Sequence, residues 1–369
     1  MIPFLHASDF HLDSAFGALP PQQAAARRRE GRELMFRLAD YVNSHGIRLV
    51  LLAGDLFDSA SPFRETVEQL ADALAQMEAM VFIAPGNHDW YGPASPWTSI
   101  KWPENVYIFT QNAMTAVEIP DWNLVVHGAA FTGPEQAKGL LSGFTAPDDG
   151  RIHIGLLHGE VEPSEARYNP IRREELAASS LTYLALGHIH KSGAVSAGKT
   201  ICVWPGCLEG RGFDELGGKG FGQGAIDNSG KISMTFVPFA RRRYEVLEVD
   251  VTGRPPQEAV EAALPADVRQ DLYRILLTGE TEEEGVDTKA LETALSSRFY
   301  ALEIRDRTRV AEDLWARAGE DSLRGLFLQN LRAKWQRAAT DEERGIITQA
   351  VRFGLAALDH REMDGTGPA

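Results

Sequence analysis

The sequence predicts an α/β fold: a mainly parallel sheet with helices on its faces, then a small α/β cap and a helical tail. Two observations carry that prediction. Apolar, strand-like runs alternate with amphipathic stretches through the first part of the chain, the rhythm of strand–helix–strand units. Five short stretches rich in His, Asp and Asn also sit at the ends of such runs, where an open α/β sheet gathers its functional groups.

Taken in order, Pro3–Ala7 reads as the first strand. A helix follows from about Gln22 to Ser44, with Leu34, Leu38 and Val42 four residues apart and Met35 and Ala39 beside them. Residues 47–53 (IRLVLLA) form a buried strand, Arg64–Met77 a second helix and Met80–Ala84 the next strand. Gly92–Pro103 holds three prolines and two tryptophans and reads as a long ordered loop. Val106–Phe109, Ala116–Ile119 and Asn123–Val126 are short strands, and Ile152–Leu157 and Leu181–Leu186 are apolar strands that run into histidines. The glycine-rich stretch Gly206–Gly224 is expected to be a loop over a site. Ile232–Phe239 is expected to close a first domain of residues 1–243.

From Tyr244 the texture changes. Strand Tyr244–Val251, helix Gln257–Leu264, strand Leu272–Leu277, helix Thr288–Ser297 and strand Phe299–Ile304 make a β-α-β-α-β cap over residues 244–308. Glu280–Glu284, with four glutamates, is expected as an exposed loop between these elements. Residues 309–369 read as a helical C-terminal region. Its apolar stripe of Leu314, Leu323, Leu326, Phe327, Leu328, Leu331 and Trp335 either packs on its own chain or docks a partner.

Composition narrows the classes. The 369 residues are 44% hydrophobic and 24% charged, ordinary for a soluble globular protein. No run reaches the roughly 18 apolar residues of a membrane span. The start, MIPFLHASDFHLD, has no basic segment before a long apolar one, so a cytoplasmic protein is expected. Cys202 and Cys207, the only cysteines, read as buried apolar residues. A net charge of −15 argues against coating nucleic acid by bulk electrostatics. It leaves room for a local basic strip along a nucleic-acid backbone, for which Arg27–Arg29, Arg172–Arg173 and Arg241–Arg243 are candidates.

The five motifs are Asp9-Phe10-His11, Gly54-Asp55, Gly86-Asn87-His88-Asp89, His158-Gly159 and Gly187-His188-Ile189-His190. They offer nitrogen and oxygen ligands for two divalent ions. Hydrolysis of a phosphate diester needs an activated water, neutralisation of the non-bridging oxygens and a proton for the leaving oxygen. Two metals about 3.5–4 Å apart supply the first two. Asp55 is the natural bridge, with Asp9, His11 and His190 completing one ion and Asn87, His158 and His188 the other. Mixed imidazole and carboxylate ligands suit first-row transition ions, Mn²⁺ foremost and Fe²⁺ or Zn²⁺ after it. His88 is expected to face the substrate and protonate the leaving oxygen, as an imidazole titrating near neutrality can. Asp89 either holds the His88 ring in its tautomer or serves as a turn or cap residue. In Gly-His-x-His, alternate residues on an extended segment aim both imidazoles to one side. His127, in VVHGAAF, also ends a strand before a glycine, and spacing alone does not separate it from His158. His6 and His153, inside apolar strands, read as structural.

The wording LHASDFHLD, LLAGDLFDSASP, FIAPGNHDW, LALGHIH and WPGCLEGRGFDELGGKG resembles the calcineurin-like metallophosphoesterases. Within them it is similar to the SbcD-type DNA-repair nucleases, including the YhaO-type branch. The motifs span residues 1 to about 225. The resemblance implies a layered sandwich of sheets flanked by helices. It implies metal ligands Asp9, His11, Asp55, Asn87, His158, His188 and His190, with His88 as the catalytic histidine. It further implies a Mn²⁺-dependent nuclease that is a homodimer and works with an SbcC-like coiled-coil ATPase. One position departs from some relatives: Asp58 stands where they carry histidine three residues after the bridging aspartate, so that histidine's role does not transfer. The leading expectation is a two-metal phosphodiesterase acting on DNA, a 3′–5′ exonuclease with single-strand endonuclease ability. The alternatives are a phosphodiesterase of a small nucleotide, or a weakly active scaffold subunit that recruits an ATPase.

Overall fold

The computed structural model describes residues 1–165, 167–281, 285–310 and 314–358. The first stretch follows the strand–helix rhythm: β1 (Ile2–Ala7), α1 (Pro21–Ser44), β2 (Leu49–Leu52), α2 (Arg64–Ala75), β3 (Met80–Ile83), a short α3 (Pro96–Ser99) and β4 (Val106–Ile108). Helix α1 starts with Pro21 at its first position, where a missing N–H costs nothing, and ends just before Gly46 in left-handed backbone. The prolines and tryptophans of 92–103 include the turn of helix α3, which the sequence pattern did not show.

The next strands build a second sheet. They are β5 (Thr115–Ile119), β6 (Leu124–Gly128), β7 (Ile152–His158), a small pair β8 (Glu160–Val161) and β9 (Pro170–Ile171), then α4 (Arg173–Ala178), β10 (Tyr183–Gly187), β11 (Gly193–Ala197) and β12 (Thr200–Trp204). β13 (Gly220–Ile226) and β14 (Ile232–Pro238) return to the first sheet. The two six-stranded sheets have the orders β14-β13-β1-β2-β3-β4 and β11-β12-β10-β7-β6-β5. In each, four neighbouring strands pair in parallel and the remainder join by antiparallel pairing. The mainly parallel rhythm thus builds two mixed sheets, the layered sandwich of sheets flanked by helices that the resemblance implies. Glycine-rich 220–226 is a strand of the first sheet rather than part of a covering loop. Its glycines hide it because the neighbouring chain fills their side-chain space: a Cβ on Gly222 would lie 1.8 Å from the Met234 methyl.

Packing explains the layers. Phe4, Leu49, Leu51 and Phe82 of the first sheet meet Val126, Ile154, Leu156 and Tyr183 of the second in a core between the sheets. Leu5, Val50 and Val81 face the other way, onto Leu34, Leu38 and Val42 of α1 and Val67, Leu70 and Leu74 of α2. The outer face of the second sheet, with Leu157, Leu184, Leu186 and Cys202, is covered by Leu140, Leu141 and Leu176. The result is a helix–sheet–sheet–helix sandwich in which the central strands are buried on both faces. Both cysteines are buried and unpaired with each other.

Two of the arginine strips are only partly surface. Arg27 is 1% exposed and Arg242 7% exposed. Glu30 joins them, at 2.8 Å from Arg27 and 2.6 Å from Arg242, and Glu209 adds a second carboxylate to Arg27 at 2.8 Å. These guanidiniums hold the core together and are not free for phosphates.

The rest of the chain holds β15 (Tyr244–Asp250), α5 (Pro256–Ala263), β16 (Leu272–Thr278), β17 (Glu280–Thr281), α6 (Thr288–Leu295), β18 (Ala301–Asp306), β19 (Arg309–Val310), α7 (Leu323–Arg337) and α8 (Asp341–Leu358). β15, β16 and β18 form a three-stranded sheet in the order β15-β16-β18. Of the acidic stretch 280–284, Glu280 and Thr281 pair with Arg309 and Val310, and residues 282–284 lie outside the described residues. The chain divides into two compact units, one of residues 1–248, 263–276 and 289–305, the other of residues 249–262, 277–288 and 306–369. In the second unit α7 and α8 share a small core of Ala318, Leu328 and Val351, with Leu314, Phe327 and Leu331 against it, while Leu323 and Leu326 stay exposed. The apolar stripe of the tail is thus split between its own core and solvent. Among the described residues, no helix is long and apolar enough to cross a membrane.

Candidate metal centre

All five motifs lie at carboxyl ends of parallel strands: Asp9 and His11 after β1, Asp55 after β2, Asn87 to Asp89 after β3, His158 at the end of β7, and His188 and His190 after β10. The loops after β1 and β2 are zipped by backbone bonds Asp9 N to Gly54 O, His11 N to Asp55 O and Leu12 N to Leu56 O, at 2.9–3.0 Å. That pairing brings three motif residues together before any side chain is considered. Asp9, His11, Asp55 and His188 all sit in left-handed backbone, at φ of 55°, 44°, 51° and 93°. Strain of this kind costs of order 1–3 kcal/mol per residue, and functional sites are where it collects.

The side chains form two converging groups, with a third beside them. In one, Asp9, His11 and His190 bring ligand atoms within 4.8 Å of one another; in the other, Asp55, His158 and His188 do the same; the third, at the exposed edge, is His11, Asp58 and His88. Asn87 Oδ1 lies 3.0 Å from His158 Nε2 and 3.2 Å from His188 Nδ1. Asp55 Oδ2 faces both groups, 3.9 Å from His11 Nε2 and 3.3 Å from His158 Nε2. The other oxygen of Asp55 accepts the backbone N–H of His88 at 2.9 Å.

Hydrogen bonding determines what these atoms present. His11 Nδ1 lies 3.1 Å from the Asp58 carboxylate; His190 Nδ1 lies 2.7 Å from the Glu215 carboxylate and 3.0 Å from Arg211 Nη2, and the nearer carboxylate oxygen is the acceptor that draws the ring proton to Nδ1. Their Nε2 lone pairs then face each other at 3.1 Å. His158 Nδ1 donates to the Ala53 carbonyl at 2.8 Å, which turns its Nε2 lone pair onto Asp55 and Asn87. Lone pairs directed at one another repel unless a cation lies among them. Burial opposes a charge on His158, yet the adjacent Asp55 carboxylate raises its pKa to about 9, so without a metal a proton on Nε2 balances Asp55. Burial and the neighbouring His158 push His188 down to about 3, leaving it neutral, the form that ligates metals. The donor set therefore fits a two-metal centre.

Glycines make the closeness possible. A Cβ on Gly86 would fall 2.2 Å from Asp55 Oδ1, and one on Gly187 2.0 Å from the Ala53 carbonyl.

His88 is exposed at the rim, and its Nδ1 donates to the carbonyl of Asp58 at 2.9 Å. Asp89 does not hold that ring. Its buried carboxylate accepts the backbone N–H groups of Leu56 at 2.7 Å, Phe57 at 3.3 Å and Gly86 at 2.7 Å. Asp89 thus braces the two loops, the turn-residue alternative. His127 lies away from the centre, with its Nε2 2.8 Å from His153, whose other nitrogen reaches Asp149 at 3.0 Å. His6 bonds the Tyr183 hydroxyl at 2.8 Å inside the core. Arg211 and Glu215 were not singled out as site residues, although both lie in the WPGCLEGRGFDELGGKG stretch that carries part of the resemblance, and both belong to the surroundings of the centre. Asp58, the position that departs from some relatives, is the carboxylate on His11.

Strand-end ligands around a shared carboxylate, in a two-sheet sandwich, define a metal-dependent phosphoesterase. A model of the calcineurin-like phosphoesterase family matches residues 2–192, more than half the chain, and the chain belongs to that family. It is 31% identical to the uncharacterized metallophosphoesterase YhaO of Bacillus subtilis over 68% of this chain, and spans 64% of that relative's length. It is 23% identical to the DNA double-strand break repair protein Mre11 of Methanopyrus kandleri, over 89% of this chain and 76% of that one. Among solved structures, TT1561 of Thermus thermophilus matches with a TM-score of 0.37 at 13% identity, covering 64% of this chain and 98% of that one.

Proposed function

We propose that this phosphoesterase hydrolyses DNA phosphodiester bonds as a Mn²⁺-dependent, SbcD-like 3′–5′ exonuclease that also cuts single strands, serving DNA repair in the cytoplasm. The observation that carries the reading is the pair of lone-pair clusters facing Asp55 with His88 exposed beside them. When bound, two ions would activate water and neutralise the non-bridging phosphate oxygens. Asp9, His11 and His190 would hold one, Asn87, His158 and His188 the other, with Asp55 between.

The protein's own groups do the rest. The His88 amide pins one Asp55 oxygen and leaves the other free to face both clusters. The Asp58 carbonyl holds the Nδ1–H of His88, so Nε2 is the atom left to take up a second proton and, from the imidazolium, to pass it to the leaving oxygen, which returns the ring to its neutral Nδ1–H form. Buried Asp89 keeps the Asp55 and His88 loops in register. DNA as substrate draws on the motif wording and on the likeness to a repair protein. A homodimer and an SbcC-like coiled-coil ATPase partner complete the proposal, with residues 244–308 acting as a cap that guides a polymer.

The test is release of nucleotides from end-labelled double- and single-stranded DNA with Mn²⁺, with and without chelator, beside Asp55→Ala. Release that needs both metal and Asp55 supports the reading. Hydrolysis of a bis(nitrophenyl) phosphate without DNA cleavage, even with the ATPase present, would leave a phosphodiesterase but remove DNA as its substrate.

A further inference from the structure

The two halves of the centre orient their histidines by different means. On the Asn87 side, His158 is held by a neutral backbone carbonyl, Ala53 O. On the Asp9 side, both histidines are held by carboxylates, His11 by Asp58 and His190 by Glu215. One side chain joins those two carboxylates. Arg211 places Nη1 3.1 Å from Asp58 Oδ1 and Nη2 2.7 Å from Glu215 Oε1, its backbone N–H adds a bond of 2.8 Å to Glu215 Oε2, and the same Nη2 lies 3.0 Å from His190 Nδ1 itself. The chain His11–Asp58–Arg211–Glu215–His190 closes on itself where the two Nε2 atoms meet at 3.1 Å. Glu215 is buried, while Asp58 and Arg211 are partly open, at 33% and 22% side-chain exposure.

The ring has a physical consequence. A carboxylate on the far nitrogen of an imidazole makes the near nitrogen a stronger donor and fixes its direction. Two carboxylates side by side repel, and a forked guanidinium bridges them in one geometry, which a lysine cannot copy. We propose that Arg211 is a positioning residue for one metal only, the one held by Asp9, His11 and His190, and that the two positions therefore differ in affinity. The inference rests on the two-metal reading.

The experiment titrates MnCl₂ into the metal-free full chain by calorimetry, with electron paramagnetic resonance reporting whether two ions are spin-coupled. The unsubstituted protein is expected to bind two equivalents. Asn87→Ala removes a donor from the other half and so assigns each equivalent. Arg211→Met should weaken the Asp9-side equivalent by about 10–100-fold, the usual cost of losing such a partner, and abolish the coupled signal at low metal. The Asn87-side equivalent should stay unchanged. Arg211→Lys should fall between the two. If Arg211→Met does not fold, Asp58→Ala, at a partly open position, should give the same selective loss. Unchanged affinity at both positions, or equal weakening of both, overturns the proposal. Failure of the unsubstituted chain to bind two ions overturns the two-metal reading and the proposal with it. Two ions bound without DNA cleavage removes only the substrate, and the selectivity of Arg211→Met still decides the proposal.

Discussion

Gly86 stands where the loops after β2 and β3 touch, so Gly86→Ala measures how tightly that contact sets the centre. The added Cβ would lie 2.2 Å from Asp55 Oδ1 and 2.7 Å from the Asp55 backbone nitrogen. Non-bonded atoms settle at roughly 3.5–4.0 Å, so the carboxylate must retreat by about 1.3–1.8 Å. Metal–ligand distances tolerate only about 0.2 Å. Gly86 is not in left-handed backbone, so the clash accounts for the whole effect. Stability should fall by about 1–3 kcal/mol, the range for an overpacked site. Mn²⁺ affinity should fall by at least about 10-fold at both positions, because Asp55 faces both. Calorimetry with MnCl₂ and urea unfolding check this, beside Gly133→Ala, whose Cβ would meet nothing within 4 Å. Two equivalents bound by Gly86→Ala with unchanged affinity would refute the claim that close loop packing positions Asp55.

His88→Ala should keep both Mn²⁺ equivalents and lose roughly 10²–10⁴-fold in turnover, the worth of a general acid, read from parallel metal titration and nucleotide release. Loss of metal in that variant would make His88 a ligand instead. Glu30→Ala should cost about 3–5 kcal/mol in urea unfolding, because it strips the buried guanidiniums of Arg27 and Arg242 of their shared carboxylate. Glu33→Ala, which breaks only exposed pairs, with Arg241 and Arg29, should cost less than about 1 kcal/mol. Burial works against the Glu30 charge, but Arg242 and Arg27 prevail and hold its pKa below the ordinary value. The unfolded chain therefore takes up the proton first, and stability falls as pH falls. The difference between the unsubstituted protein and Glu30→Gln should be constant above about pH 5 and shrink below about pH 4, as measured by unfolding across that range. A difference that grew on acidification would reverse the assigned sign.

Much of the two six-stranded sheets was legible because their strands carry their own signal. Leu49–Leu52 and Tyr183–Gly187 are buried on both faces and so read as continuous apolar runs. α1 shows its buried face through Leu34, Leu38 and Val42. β13 was not legible, since glycines at 220, 222 and 224 carry no side-chain pattern and the space they leave is filled by Val237, Met234 and Phe4. Nor was the hairpin of β11 and β12, whose first strand is largely exposed and built from small residues.

The chain order of Asp9, His11, Asp55, Asn87, His88, His158, His188 and His190 was readable because each follows a strand, and parallel strands must end on the same side of a sheet. The division of labour around them was not. Whether Asp89 faces His88 or the backbone of Leu56, and whether His127 or His158 reaches Asp55, depends on distances between strands far apart in sequence. Arg27 and Arg242, which composition counts as surface charge, are buried because Glu30, some 212 residues from Arg242, meets them in the fold. Local pattern records which face of an element is apolar and where it stops. Pairing between distant polar groups leaves no period in the sequence, so only the tertiary structure decides it.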